Sequence, residues 1–176
     1  MLPTFTMILF LLFSIISITV ANAQSLYKIE KNGLYGYMDV NGKNIIQCNY
    51  IHAYTDTIKN LGFVFDQKSK KIICFNNKGD SLFYVVKCDN GPDYIRNGLF
   101  RIMDRKGLIG FSDSLGNIVI KPKFKFAYPF YNNRARVTQQ GKYKKVPKSK
   151  GEKHYWDSKK WFYIDKKGVC VENSNK

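Results

Sequence analysis

The sequence predicts an all-β protein built from tandem antiparallel hairpins or three-strand repeats. Three observations carry that prediction. Gly42, Gly79 and Gly116 lie 37 and 37 residues apart. Phe, Tyr, Ile and Val are plentiful beside 13 Gly and 5 Pro, a composition of strands and turns rather than helices. Each copy also has the anatomy of a hairpin that is marginal in water by itself and gains a buried face by stacking on its neighbours. One open sheet, a solenoid and a barrel-like closure all satisfy this pattern.

The first copy, near 32–68, runs Leu34-Tyr35-Gly36-Tyr37-Met38-Asp39-Val40-Asn41-Gly42-Lys43-Asn44-Ile45-Ile46. Asp39 stands three residues before Gly42, so its side chain can accept from its own following backbone while the glycine takes positive φ. The second copy, near 69–105, is degenerate: Ile72-Ile73-Cys74-Phe75-Asn76-Asn77-Lys78-Gly79. The third, near 106–159, repeats the first closely, with Leu108-Ile109-Gly110-Phe111-Ser112-Asp113-Ser114-Leu115-Gly116 and then Ile118-Val119-Ile120. Matches continue outward, Tyr50 with Phe124, Ala53 with Ala127 and Tyr54 with Tyr128. A truncated copy, 160–176, opens with Lys160-Trp161-Phe162-Tyr163-Ile164-Asp165 and reaches Gly168, 52 residues after Gly116. The third copy therefore carries an insert, 141–158. A third strand is expected to close each copy: Gly62–Phe65, Leu99–Ile102 and Ala135–Val137.

Tyr35-Gly36-Tyr37-Met38-Asp39 with Gly42, and Trp161-Phe162-Tyr163-Ile164-Asp165 with Gly168, resemble the opening of the WG β-repeat. That repeat begins with Trp-Gly-aromatic, a hydrophobic residue and Asp, and continues through a Gly-Lys turn, an aliphatic strand, Pro, an aromatic and an Ala before a Val. Ile118-Val119-Ile120-Lys121-Pro122-Lys123-Phe124, Ala127-Tyr128-Pro129-Phe130 and Ala135-Arg136-Val137 follow it. Tryptophan occurs only at Trp161, where Phe162 replaces the glycine, and the second copy has Ile72-Ile73 instead. The resemblance covers most of residues 32–170. It implies an exported bacterial all-β module for binding and brings no catalytic residues.

Charge is uneven. From Gln24 to Ile120 there are 13 Lys+Arg against 9 Asp+Glu, but from Lys121 to Lys167 there are 15 against 3. The insert holds Lys142, Lys144, Lys145, Lys148, Lys150 and Lys153, followed by Tyr155 and Trp156. Cations interleaved with rings suit an anionic polymer, through counterion release and stacking. A solvated loop that guards sheet edges is the plainer reading of the same residues. Envelope polysaccharide, lipopolysaccharide and extracellular nucleic acid are the expected ligand classes, and an envelope-protein scaffold with incidental charge is the alternative.

Residues 1–23 carry no charged side chain, and the apolar run Met7–Val20 ends before Ala21-Asn22-Ala23. The run falls short of the roughly 20 residues a spanning helix needs. A signal peptide cut after Ala23 is expected, giving an exported, periplasmic or secreted domain of 24–176. An uncleaved anchor is the alternative. Cys48, Cys74, Cys88 and Cys170 allow three disulfide pairings, or serve as small apolar thiols. No Cys-x-x-Cys, zinc-binding or phosphate-cradling motif occurs, and no cofactor or metal is expected. Asp39, Asp113 and Asp165 recur at one turn position, which marks them as structural. His154 beside Glu152 is the one cluster with the acid and base that a small secreted hydrolase or ribonuclease needs, and a non-enzymatic binding module is the preferred expectation.

Overall fold

The computed structural model describes residues 24–147 and 154–171. The expected leader, with its cleavage position, and Lys148, Lys150 and Lys153 lie outside them. No helix occurs among the described residues, and every named strand pairing is antiparallel.

The chain forms successive three-stranded meanders. The first comprises β1 (Leu26–Lys31), β2 (Leu34–Met38) and β3 (Asn44–Tyr50), followed by the short β4 (His52–Ala53) and β5 (Thr57–Ile58). The second comprises β6 (Leu61–Asp66), β7 (Lys71–Asn76) and β8 (Ser81–Val85), followed by β9 (Lys87–Cys88) and β10 (Gly91–Pro92). The third has β11 (Leu99–Met103), β12 (Ile109–Asp113) and β13 (Ile118–Phe124), then β14 (Phe126–Ala127). The last uses β15 (Ala135–Thr138), β18 (Phe162–Ile164) and β19 (Cys170–Val171), with β16 (Lys142–Lys145) and β17 (His154–Asp157) inserted as a separate ribbon.

The strands expected to close each copy instead open the next one. β6 pairs along its whole length with β7, β11 with β12, and β15 with β18. Backward pairing is limited to two residue pairs in each case, β4 on β6, β8 on β11 and β14 on β15. The physical unit thus starts one strand before the motif, which gives β1 its place as the opening strand of the first unit. The sheets are open, with orders β3-β2-β1-β5, β13-β12-β11-β8-β7-β6-β4 and β14-β15-β18-β19.

One turn chemistry recurs. The Oδ1 atoms of Asp39, Asn76, Asp113 and Asp165 each accept two backbone N–H groups at 2.9 Å, from the residues two and four positions on. The closing glycines Gly42, Gly79, Gly116 and Gly168 have φ of 80°, 89°, 90° and 78°. A further turn of the same kind, Asp104–Gly107, joins β11 to β12. It falls off the 37-residue period because it links the first pair of strands rather than the second.

The glycine of the Tyr-Gly-Tyr segment has a different task. Opposite Gly36 and Gly110 the partner strand bulges, so Tyr35 and Tyr37 face Tyr50 and Ile46, and Ile109 and Phe111 face Phe124 and Ile120. The bulged backbone crosses directly over the glycine. A Cβ on Gly36 would stand 2.7 Å from Cys48 N, and one on Gly110 2.6 Å from Pro122 N. Pro122 fits there because a bulge needs no ladder N–H. In the second unit Ile73 occupies the glycine position, and β8 runs past it without that bulge, pairing Ile73 with Tyr84 and Ile72 with Val85. The straighter β8 then pairs onward with β11 through Tyr84 and Val85. The degenerate copy is therefore the one that fuses two units into a seven-stranded sheet.

Units also touch through their turns. A Cβ on Gly79 would meet Ile45 Cγ2 at 2.5 Å, one on Gly116 would meet Leu82 Cδ1 at 2.9 Å, and one on Gly168 would meet Ile120 Cγ2 at 3.2 Å. Each turn sits on the third strand of the preceding unit. The core follows the same rule. Leu26, Tyr37, Ile46, Val64 and Phe75 bury across the first junction, Ile72, Cys74, Val85 and Phe100 across the second, and Phe111, Ile120, Phe124, Phe130 and Ile164 across the third.

Candidate functional site

The insert forms a two-stranded ribbon. β16 and β17 pair Lys142 with Asp157, Tyr143 with Trp156, Lys144 with Tyr155 and Lys145 with His154. Thr138 and the ribbon's C-terminal base hold it in place: Thr138 Oγ1 lies 2.8 Å from Ser158 Oγ and donates to the Lys160 carbonyl at 2.7 Å. Trp156 Nε1 donates to the Gln140 carbonyl at 2.9 Å.

Side chains alternate across a ribbon, so the expected binding residues divide between two faces. Tyr143, Lys145, His154 and Trp156 share one. Lys142, Lys144, Tyr155 and Asp157 share the other, where Lys144 Nζ pairs with Asp157 Oδ2 at 2.6 Å. The hydrogen bond to Asp157 raises the Lys144 ammonium above its ordinary range. The ribbon therefore does not gather Lys142, Lys144, Lys145, Tyr155 and Trp156 on a single surface.

The Trp156 face continues onto the body of the protein. Trp156 stacks on Phe126 with centroids 5.3 Å apart and an interplanar angle of 19°. Tyr143 packs edge-on to Trp156 at 4.9 Å and to Phe126 at 6.1 Å. Phe126 touches Tyr128 at 5.2 Å, and Tyr128 meets Trp161 at 5.6 Å. The Arg136 guanidinium lies 4.4 Å from the Trp161 ring centre. Tyr143 is 62% exposed and Tyr128 41%. The result is a prepacked aromatic patch on the surface, fed by β14, β15, the ribbon and the start of β18, with Arg136 and Lys145 beside it. Sequence reading proposed Trp156 for binding, placed Trp161, Tyr128 and Arg136 only in the repeat pattern, and assigned no site role to Phe126. Its signal was the Phe126-Ala127-Tyr128 segment, which matches His52-Ala53-Tyr54 of the first copy.

Other expected candidates scatter. His154 and Asp157 project to opposite sides of the ribbon, and Glu152 lies outside the described residues. His52 packs edge-on against Tyr54 at 4.5 Å and Tyr35 at 6.5 Å. All four cysteines are free thiols, and burial pushes Cys74 up to about 12. Among the described residues no three His, Cys, Asp or Glu side chains cluster to hold a metal. The turn residues Asp39, Asp113 and Asp165 spend their carboxylates on backbone N–H groups, as above.

One buried ionic site escaped the sequence entirely. Asp93 and Arg101 form a two-pronged pair: Arg101 Nε donates to Asp93 Oδ2 at 2.9 Å and Nη2 to Oδ1 at 2.6 Å. The backbone N–H of Arg101 also donates to Asp93 Oδ2 at 2.9 Å, and Nη1 reaches the Ala127 carbonyl at 3.1 Å. The only hint was a charge inside Leu99-Phe100-Arg101-Ile102.

Comparison with known proteins adds a family. No curated protein and no solved structure matches the chain. The family model of the WG containing repeat matches residues 35–55 and 109–143. These segments hold both bulge-covered glycines, Gly36 and Gly110, and the Asp39–Gly42 and Asp113–Gly116 turns, so over them the chain is similar to the WG repeat.

Proposed function

We propose that this chain is an exported, non-enzymatic interaction module that binds an anionic polymer through the aromatic patch and the cations around it. The observation that carries the reading is the patch itself: six packed side chains, Phe126, Tyr128, Arg136, Tyr143, Trp156 and Trp161, held at the surface in the most basic stretch of the chain. Rings already packed lose little conformational freedom on binding, and tyrosine combines a flat apolar face with a hydroxyl. Lys142 and Lys145 add charge from both sides of the ribbon. Lys144 contributes less, because Asp157 already neutralises it.

The test is binding of the purified protein to heparin, to lipopolysaccharide and to oligothymidylate across a salt series. Lys142→Gln with Lys145→Gln is expected to lower affinity and to reduce the salt slope by about one per lysine. Tyr143→Ala is expected to lower affinity with the slope unchanged, since it removes stacking and no charge. Binding that ignores salt and all three substitutions would reject this reading and favour a protein partner.

A further inference from the structure

We propose that the junction of the second and third units is a separate binding site for a small amphiphilic anion, an acyl chain carrying a carboxylate. A half-open groove of about 380 Å³ lies there, with Ile73, Tyr84 and Met103 among its lining, Leu82 and Ile118 as exposed apolar members, and Asp104 and Arg105 also lining it. Its origin is the departure of this unit from the repeat. In the first and third units the bulged backbone of the third strand covers the glycine face. In the second unit no bulge crosses at that position, and the half-buried Ile73, packed on the first cluster, borders the groove.

The lining chooses the ligand. Ile73, Leu82, Met103 and Ile118 are aliphatic or thioether groups beside the single ring of Tyr84, suited to a flexible chain. A dry cavity of about 150 Å³ holds a six-carbon ring, so this space takes an apolar body of about ten carbons with room to spare. The volume falls within the range of small-molecule sites, roughly 300–1,000 Å³. Charge selects an anion. Asp104 and Arg105 both line the groove; Asp104 turns Oδ1 toward the Leu108 N–H at 2.8 Å, and Arg105 is exposed in the turn. A second cation, Lys71, lies 4.4 Å from the centre of the Tyr84 ring. A guanidinium matches a carboxylate with two parallel hydrogen bonds.

Decanoate is the probe and decanol its uncharged counterpart, titrated below micelle formation and read by NMR on the methyl groups of Ile73, Leu82, Met103 and Ile118. Decanoate is expected to bind one to one and to shift these signals. Arg105→Gln, at an exposed turn position, is expected to weaken decanoate about tenfold while changing decanol by less than about twofold. Ile118→Trp, which fills the rim, is expected to weaken both. Absence of shifts in the unaltered protein, shifts located elsewhere, or equal decanoate binding with Arg105→Gln would overturn the proposal. Tyr143→Ala separates the two sites: it should impair polymer binding and leave decanoate binding intact.

Discussion

Tyr37 and Cys74 occupy the same repeat position and show what that position demands. Each is fully buried, and burial pushes both acids up to about 12 from ordinary values of 10.0 and 9.0. Phe111, which follows at the same spacing, solves the problem by having nothing to ionise. A raised acid pKa means that the fold favours the neutral form. The stabilisation is fully present below the unfolded values, near pH 9 and 10, and is lost as pH rises toward 12. Denaturant midpoints are therefore expected to hold steady to about pH 9 and fall steeply beyond it. Tyr37→Phe removes a hydrogen bond to the Thr55 carbonyl at 2.5 Å, which costs about 1 kcal/mol at neutral pH. The same variant should flatten the alkaline fall, since one of the two most strongly raised groups is gone while Cys74 and the less strongly raised Tyr50, Tyr54 and Cys88 remain. An unchanged alkaline slope in Tyr37→Phe would show that Tyr37 ionises no differently in the folded and unfolded chain.

At the scale of the element, the hairpin was legible and its partner was not. The Asx-glycine turn is local chemistry, so Asp39, Asp113 and Asp165 announce it wherever the period places them. Strand pairing between units is non-local, and nothing in Ala135-Arg136-Val137 says whether it pairs backward or forward. The glycine of the Tyr-Gly-Tyr segment was visible, but its reason was not, because the bulge lies on the opposing strand. That reason gives a sharp expectation. In Gly110→Ala the new methyl would meet backbone, Pro122 N at 2.6 Å and Lys121 C at 2.9 Å, and backbone cannot rotate away. A loss of about 2 kcal/mol or more is expected. Gly107→Ala meets no atom within 4 Å and suffers only from its φ of 81°, at about 1 kcal/mol. Thermal unfolding of the two variants should rank them in that order. The ribbon was likewise half legible. Composition located its lysines and rings, yet only the β16–β17 register assigns Trp156 and Tyr155 to opposite faces.

Across the whole molecule, three apolar clusters in series span the junctions between units, and each turn rests on the strand before it. Such an array transmits order from neighbour to neighbour and depends on every junction. The second and third clusters, on either side of the third unit, are joined by the buried Asp93–Arg101 pair. Asp93 follows the short β10, Arg101 sits in the middle of β11, and the guanidinium reaches Ala127 in β14. One salt bridge therefore fastens the connector before the third unit, its first strand and the segment after its last. Buried pairs add little net stability compared with apolar replacements, but breaking one leaves an uncompensated charge. Asp93→Ala should cost about 3–5 kcal/mol, because the buried Arg101 guanidinium is left with the Ala127 carbonyl in place of its carboxylate. Asp93→Leu combined with Arg101→Met should recover most of that loss, since neither buried charge remains. Both are checked by thermal unfolding, with salt titration of polymer binding as a second readout. The aromatic patch includes Phe126 and Tyr128, on either side of Ala127, so the single substitution should also weaken polymer binding while the double substitution restores it. A single substitution that costs less than about 1 kcal/mol would show that the pair does not tie the third unit to its neighbours.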